Sequence, residues 1–140
     1  MKVKVCGMKF PENIKKVADL GIDFMGFIFY PKSPRYMGDV DLNLSQLLPD
    51  DIKKMGVFVN DDLEGILKNV FKYKLDGVQL HGAELETMCA ELKDAGLIVF
   101  KAFSVDSTFN FSVCKKYEGT CDYFVFDTKT EAYGGSGKKF

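Results

Sequence analysis

Two hydrophobic periods alternate along this chain. Short, nearly unbroken apolar runs recur, and between them apolar residues return every third or fourth position. The first predicted strand is Lys2–Cys6, ended by Gly7. Pro11 then opens a helical pattern through Ile14, Val17, Ala18 and Leu20, with Gly21 as its stop. A second strand, Phe24–Phe29, runs into Tyr30–Tyr36, where Pro31 and Pro34 predict an extended loop. A short helix around Leu42–Leu48 follows, then a strand at Lys54–Val59, a helix at Asp62–Tyr73 and a strand at Gly77–Leu80. Leu85, Met88, Cys89 and Leu92 fall on one face of a predicted helix, Glu84–Ala95, capped by Gly96. The pattern closes with a strand at Ile98–Phe103, a helix around Thr108–Tyr117 and a strand at Tyr123–Phe126. That last run is wholly apolar and rich in aromatics, which predicts a strand buried on both faces.

The strand ends fall near residues 6, 29, 59, 80, 103 and 127, in steps of roughly 21 to 30 residues. Strict alternation of apolar strand and amphipathic helix specifies an α/β fold with parallel strands. An open doubly wound sheet and an incomplete eight-fold barrel both satisfy it. No Gly-x-Gly-x-x-Gly follows the first strand, which removes the main reason to prefer the open sheet.

Side-chain parity separates the faces further. Lys4 shares a face with Cys6 and Gln79 with His81, and Lys101 and Asp127 stand at equivalent places near their strand ends. One sheet face is therefore expected to gather ionisable groups toward the C-terminal ends, where barrel enzymes keep their chemistry. Interior salt bridges without catalysis are the competing reading. Asp127 closes the last apolar run and a glycine-rich stretch, Gly134–Gly137, follows. A carboxylate at a strand tip beside a loop able to cover a ligand is a recurrent catalytic placement; a turn cap formed with Thr128 is the plainer alternative.

Composition narrows the classes. The chain has 140 residues, of which 46% are hydrophobic and 28% charged, as expected of one globular domain with a real core. Lys and Arg number 19 against 20 Asp and Glu, so the net charge of −1 offers no electrostatic case for nucleic acid or an anionic membrane. The longest apolar run, Phe24–Tyr30, is too short to span a bilayer, and no signal-peptide apolar region opens the chain; a cytoplasmic location is expected. Cys6, Cys89, Cys114 and Cys121 form no CxxC pair, and His81 is not spaced to join them around zinc, so no metal site is expected. Three of these cysteines read as small buried hydrophobes. Cys6, ending the first strand, is the exception.

Four motifs now stand in order at strand ends: Lys4-Val5-Cys6-Gly7-Met8, Phe29-Tyr30-Pro31-Lys32-Ser33-Pro34-Arg35-Tyr36, Gly77-Val78-Gln79-Leu80-His81-Gly82, and Asp127-Thr128-Lys129 with Gly134-Gly135-Ser136-Gly137-Lys138. Together they resemble the phosphoribosylanthranilate isomerases of tryptophan biosynthesis, and the resemblance runs from end to end of the chain. It implies a (βα)8 TIM barrel, with about six βα units in this chain, as a single domain over residues 1–140 lacking the last two units. It implies an Amadori rearrangement of N-(5-phosphoribosyl)anthranilate to an open-chain 1-amino-1-deoxyribulose phosphate, with no metal or organic cofactor. By the same resemblance Cys6 is the base, Asp127 the acid, and Arg35 the holder of the anthranilate carboxylate. Gln79, His81 and Gly135 are placed against the substrate, with satisfaction of an interior polar group as the alternative for His81. A monomer or homodimer is expected of the complete protein.

The residue types suit that chemistry. Opening a furanose ring needs a proton on the ring oxygen, which a carboxyl group in apolar surroundings can deliver. The Schiff base so formed acidifies the neighbouring sugar C–H, and a thiolate beside a cation such as Lys4 is a suitable base for it. Arg35 offers a planar fork matched to a carboxylate. Phosphate in such barrels commonly sits on the loops after strands seven and eight, which this chain does not carry. A non-catalytic βα domain binding a phosphosugar, and another phosphosugar isomerase or lyase, are the alternatives.

Overall fold

A computed structural model describes residues 1–38, 40 and 42–128. Six parallel strands form one sheet in the order of the chain, without a reversal. They are β1 (Lys4–Cys6), β2 (Phe24–Ile28), β3 (Lys53–Phe58), β4 (Gly77–Leu80), β5 (Ile98–Val105) and β6 (Tyr123–Thr128). A doubly wound sheet would reverse its strand order at a switch point. This one runs on in a single direction, as the wall of a barrel does.

The connecting helices are α1 (Pro11–Ala18), α2 (Leu44–Leu47), α3 (Leu63–Tyr73) and α4 (Glu86–Asp94). Local chemistry sets their ends. In α3 the Asp62 carboxylate accepts from Gly65 N at 2.7 Å, Glu64 sits in the first turn and Lys72 in the last, matching the helix dipole. The segment expected to form a helix from Thr108 is instead a 3₁₀ helix, Phe111–Tyr117, and α2 is a single turn. Most other boundaries fall within two residues of those predicted.

The helices cover one face of the sheet. Met25, Phe27, Phe58, Val78, Leu80, Val99 and Phe103 point outward and join Ile14, Ile66, Cys89 and Leu92 in the main core. Each fully buried side chain of this size contributes roughly 1.5–3 kcal/mol. The opposite parity carries a smaller cluster, Phe24, Met55 and Phe100, with Ile98 and Val125 against it. That cluster floors the barrel interior near the N-terminal strand ends.

A repeated device ties the strands together below this floor. Asp23, Asp76 and Asp122 each stand just before β2, β4 and β6. Their carboxylates accept from Val3 N, just ahead of β1, from Lys54 N in β3 and from Val99 N in β5, each at 2.8 Å. Each also meets a lysine: Lys2 at 2.6 Å, Lys54 at 2.9 Å and Lys93 at 3.0 Å. The device recurs every second strand, a periodicity the hydrophobic pattern does not carry.

One expectation fails at the end of the sheet. Tyr123–Phe126 is not buried on both faces: Tyr123 is 44% and Phe126 39% exposed. Among the described residues β6 pairs only with β5, and β1 only with β2, so both are edges. Phe126 is partly covered by Phe103, Phe109 and Phe111. An apolar run reports a preference for burial; it cannot report whether a neighbouring strand is there.

Candidate active site

The inner face near the C-terminal strand ends opens into a cavity of about 410 Å³. Its walls include Lys4, Cys6, Tyr30, Ser33, Arg35, Gln79, His81 and Asp127, over an apolar floor of Ile28, Val57, Phe100 and Val125. Five of the six residues expected at the site thus meet in one space. The sixth, Gly135, lies outside the described residues, as does the rest of Gly134–Gly137.

Cys6 ends β1, and glycine makes its surroundings possible at two points. A Cβ on Gly26, its partner across the β1–β2 ladder, would stand 2.6 Å from Cys6 Sγ and 3.1 Å from Lys4 Nζ. Thiol and ammonium therefore share the space that Gly26 leaves open. Gly7 follows at φ +86°, a conformation L side chains rarely adopt, and a Cβ there would lie 2.7 Å from Arg35 Cδ and Nη1. The arginine lies across Gly7 and donates from Nη1 to Cys6 O at 3.1 Å.

Arg35 arrives there because its loop is folded rather than extended, a correction to the sequence reading. Ser33 N donates to Tyr30 O and Tyr36 N to Ser33 O, each at 3.0 Å, making two successive turns. Pro31 and Pro34 each occupy the second position of a turn, where the fixed proline φ is already correct. Met37 N then bonds Ile28 O at 2.8 Å and Tyr36 bridges Ile28, returning the chain to β2. Two prolines three residues apart encode consecutive turns as readily as an open loop.

Across the cavity Asp127 lies inside β6, opposite Ser104, rather than in a turn. Its Oδ2 is 3.3 Å from His81 Nε2, and His81 Nδ1 is 2.9 Å from Gln79 Nε2. Gln79 Oε1 in turn accepts from Lys4 Nζ at 2.9 Å. Burial holds His81 below the usual imidazole range; Asp127 opposes that shift, while Lys101 and Lys4 add to it. The net shift favours the uncharged ring.

Lys101 is not on this face, contrary to the parity argument. It pairs in register with Leu80 and Phe124 and points outward. There its ammonium donates to Glu84 Oε2 at 3.0 Å, Gly82 O at 2.7 Å and Leu80 O at 3.3 Å. Glu84, which the sequence reading placed only as a helix start, also accepts from Asn60 N at 2.8 Å and Gly82 N at 2.9 Å. Asn60 Oδ1 accepts from Ala83 N at 2.7 Å. The buried pair thus braces the loops after β3 and β4, the second of which begins with His81. Nothing in the spacing of Asn60, Glu84 and Lys101 announces this network.

The remaining cysteines behave as structural thiols. Burial pushes Cys89 up to about 12 and raises Cys114 and Cys121 as well. Among the described residues no group of three or more His, Cys, Asp or Glu is arranged to hold a metal ion.

A thiol on one wall, a carboxylate on the other, a guanidinium and an apolar floor suit a ligand with an apolar body and an anionic group. Residues 3–140 match the family model described as N-(5'phosphoribosyl)anthranilate (PRA) isomerase. The N-(5'-phosphoribosyl)anthranilate isomerase of Phocaeicola vulgatus is 46% identical over 140 residues, covering 100% of this chain and 66% of its own length. The crystal structure of phosphoribosyl anthranilate isomerase from Thermotoga maritima superposes with a TM-score of 0.80 at 35% identity, covering 100% of this chain and 67% of that one. A second solved phosphoribosyl anthranilate isomerase, in complex with reduced 1-(o-carboxyphenylamino)-1-deoxyribulose 5-phosphate, matches at 29% identity and TM-score 0.70 over 93% of this chain and 76% of its own. The chain spans about two thirds of the length of such relatives, and slightly less of the first. Motif order, a sheet wound in one direction and a match over almost every residue converge: the chain belongs to the N-(5'-phosphoribosyl)anthranilate isomerase family.

Proposed function

We propose that the protein containing this chain converts N-(5'-phosphoribosyl)anthranilate to 1-(o-carboxyphenylamino)-1-deoxyribulose 5-phosphate in tryptophan biosynthesis. The observation that carries this reading is the meeting of Cys6, Arg35 and Asp127 in one cavity, in a member of this family. A solved relative holds a reduced form of that product, which supports the same ligand class here. In this reading the chain is one domain supplying six units of the barrel.

The reaction is an internal redox exchange in which no atom is gained or lost. Asp127 gives a proton to the furanose ring oxygen as the C1–O bond breaks and the nitrogen lone pair forms a C1=N iminium. His81 Nε2 stands 3.3 Å from one carboxyl oxygen of Asp127, and the other is the oxygen we assign to that proton. Cys6, as thiolate, then removes the C2 proton, whose electron pair forms the C1=C2 bond and neutralises the iminium. The resulting enol-amine gains a proton at C1 from solvent as its C2 hydroxyl gives one up, becoming the 2-ketose. The C2 proton held by Cys6 and the proton lost by Asp127 are then exchanged back with water. Base and acid stand on β1 and β6, so they approach the sugar from different walls. Gln79 and His81 form part of the wall against the sugar. Arg35 takes the aryl carboxylate at the rim. Charge balance favours neither nucleic acid nor an anionic membrane, and we place the protein in the cytoplasm as a monomer or homodimer.

The test is incubation with N-(5'-phosphoribosyl)anthranilate and identification of the product by NMR. A product of unchanged mass carrying a C2 ketone is expected; binding without that product refutes the proposal. Arg35→Ala is expected to raise KM about ten-fold to a hundred-fold, the value of a charge-assisted contact of roughly 1.5–3 kcal/mol. An unchanged KM removes Arg35 from the carboxylate contact.

A further inference from the structure

Lys4 and Gln79 reach the cavity wall, yet their polar ends are directed at each other and at His81. Gln79 is only 4% exposed, with Lys4 Nζ 2.9 Å from Oε1 and His81 Nδ1 2.9 Å from Nε2. The roles along this row are forced in sequence. A lysine ammonium only donates, so the glutamine atom facing it is the carbonyl oxygen. The other end of the amide is then the NH₂, which also only donates. His81 Nδ1 must therefore accept, and the ring proton sits on Nε2. Nε2 faces Asp127 Oδ2 at 3.3 Å, so that proton is turned toward the carboxylate.

We propose that Lys4 and Gln79 are positioning residues that lock His81 in the Nε2–H tautomer and, through it, hold one oxygen of Asp127 in place. The row Lys4–Gln79–His81–Asp127 crosses the interior from β1 through β4 to β6. Lys4 also shares the space over Gly26 with the Cys6 thiol, so one ammonium touches the surroundings of both reacting groups. The row also works against a charged His81 ring. A second ring proton on Nδ1 would face the Gln79 NH₂, with the ammoniums of Lys4 and Lys101 nearby and only Asp127 to favour it. The tautomer itself does not depend on the proposed isomerisation; only the consequence for Asp127 during turnover rests on that reading.

His81 is the only histidine among these 140 residues, and its ring nitrogens are identified by the signals lost in His81→Gln. Long-range ¹H–¹⁵N correlation at neutral pH is expected to show Nε2 protonated and Nδ1 bare. In Gln79→Glu the new carboxylate accepts where the amide donated, and Nδ1 is expected to become protonated. In Lys4→Met the amide is released to flip, and both tautomers are expected. If Gln79→Glu does not fold, Gln79→Met serves: it keeps the length, removes the donor, and should also mix the tautomers. In the same variants kcat is expected to fall up to roughly 10²-fold, the scale of a misplaced catalytic group, with KM little changed. An Nδ1–H tautomer in the wild-type protein, or a tautomer indifferent to residue 79, overturns the lock. A tautomer that switches while kcat holds overturns the positioning of Asp127. Absence of turnover in the wild type, with the expected tautomer present, counts against the isomerase reading alone.

Discussion

Cys6→Ala and Asp127→Asn, introduced separately into the protein that contains this chain, are expected to lower kcat by about 10²–10⁴-fold each, the usual contribution of a positioned general base or acid. The two losses arise at different steps. Without the Asp127 proton the furanose oxygen leaves as an alkoxide, so ring opening slows. Without the thiolate the C2 proton has no acceptor, so the iminium forms but does not proceed. Both substitutions are close to isosteric or smaller, and both sites border open space, so folding is expected to survive. The check is steady-state turnover together with the thermal unfolding midpoint. A variant that keeps near wild-type kcat has lost its assigned role, and one that loses activity only in step with stability has not tested it.

Glu84→Ala is expected to be the most destabilising single substitution in the described structure. Its side chain and that of Lys101 are 2% and 3% exposed, so their charges have no recourse to water. Truncation strands the Lys101 ammonium among carbonyl oxygens and removes the acceptor of Asn60 N and Gly82 N. Breaking one side of a buried pair typically costs about 3–5 kcal/mol, enough to consume much of the net stability of a domain. The second variant, Glu84→Ala with Lys101→Met, is expected to recover only part of the loss, because the two backbone donors stay unpaired. Urea midpoints of the single and double variants measure both quantities. A loss below about 1 kcal/mol in Glu84→Ala, the size of an exposed pair, would show that water reaches the network.

Much of this architecture is legible in residue order. The spacing of apolar runs located all six strands, since a strand covered by helices on one side must be apolar at every second position at least. Cys6, Arg35, Gln79, His81 and Asp127 were placed by motif at strand ends, and the fold brings all five to one cavity. The failures have separate causes. Parity counted from strand ends put Lys101 beside Asp127, but β5 runs two residues beyond the predicted end and Lys101 lies in mid-strand, facing outward. Tyr123–Phe126 was read as buried because its composition shows what it prefers, not which strands flank it. The Pro31–Pro34 loop was read as open because proline prohibits helix and sheet yet favours turns equally. The braces at Asp23, Asp76, Asp122 and Glu84 escape the sequence because each is an acid paired with distant backbone, and single acids at strand or helix starts look like ordinary solvated residues.

The central claim is that one cavity works as an acid–base pair on a phosphosugar, with the Cys6 thiol taking the C2 proton. The most direct measurement uses N-(5'-phosphoribosyl)anthranilate carrying deuterium at C2 of the ribosyl group, followed by NMR during single turnover. In the wild-type protein the label is expected to leave C2 more slowly than hydrogen does, in step with formation of the ketose; in Cys6→Ala it is expected to stay. Loss of the label from C2 at the same rate in both proteins would contradict the claim.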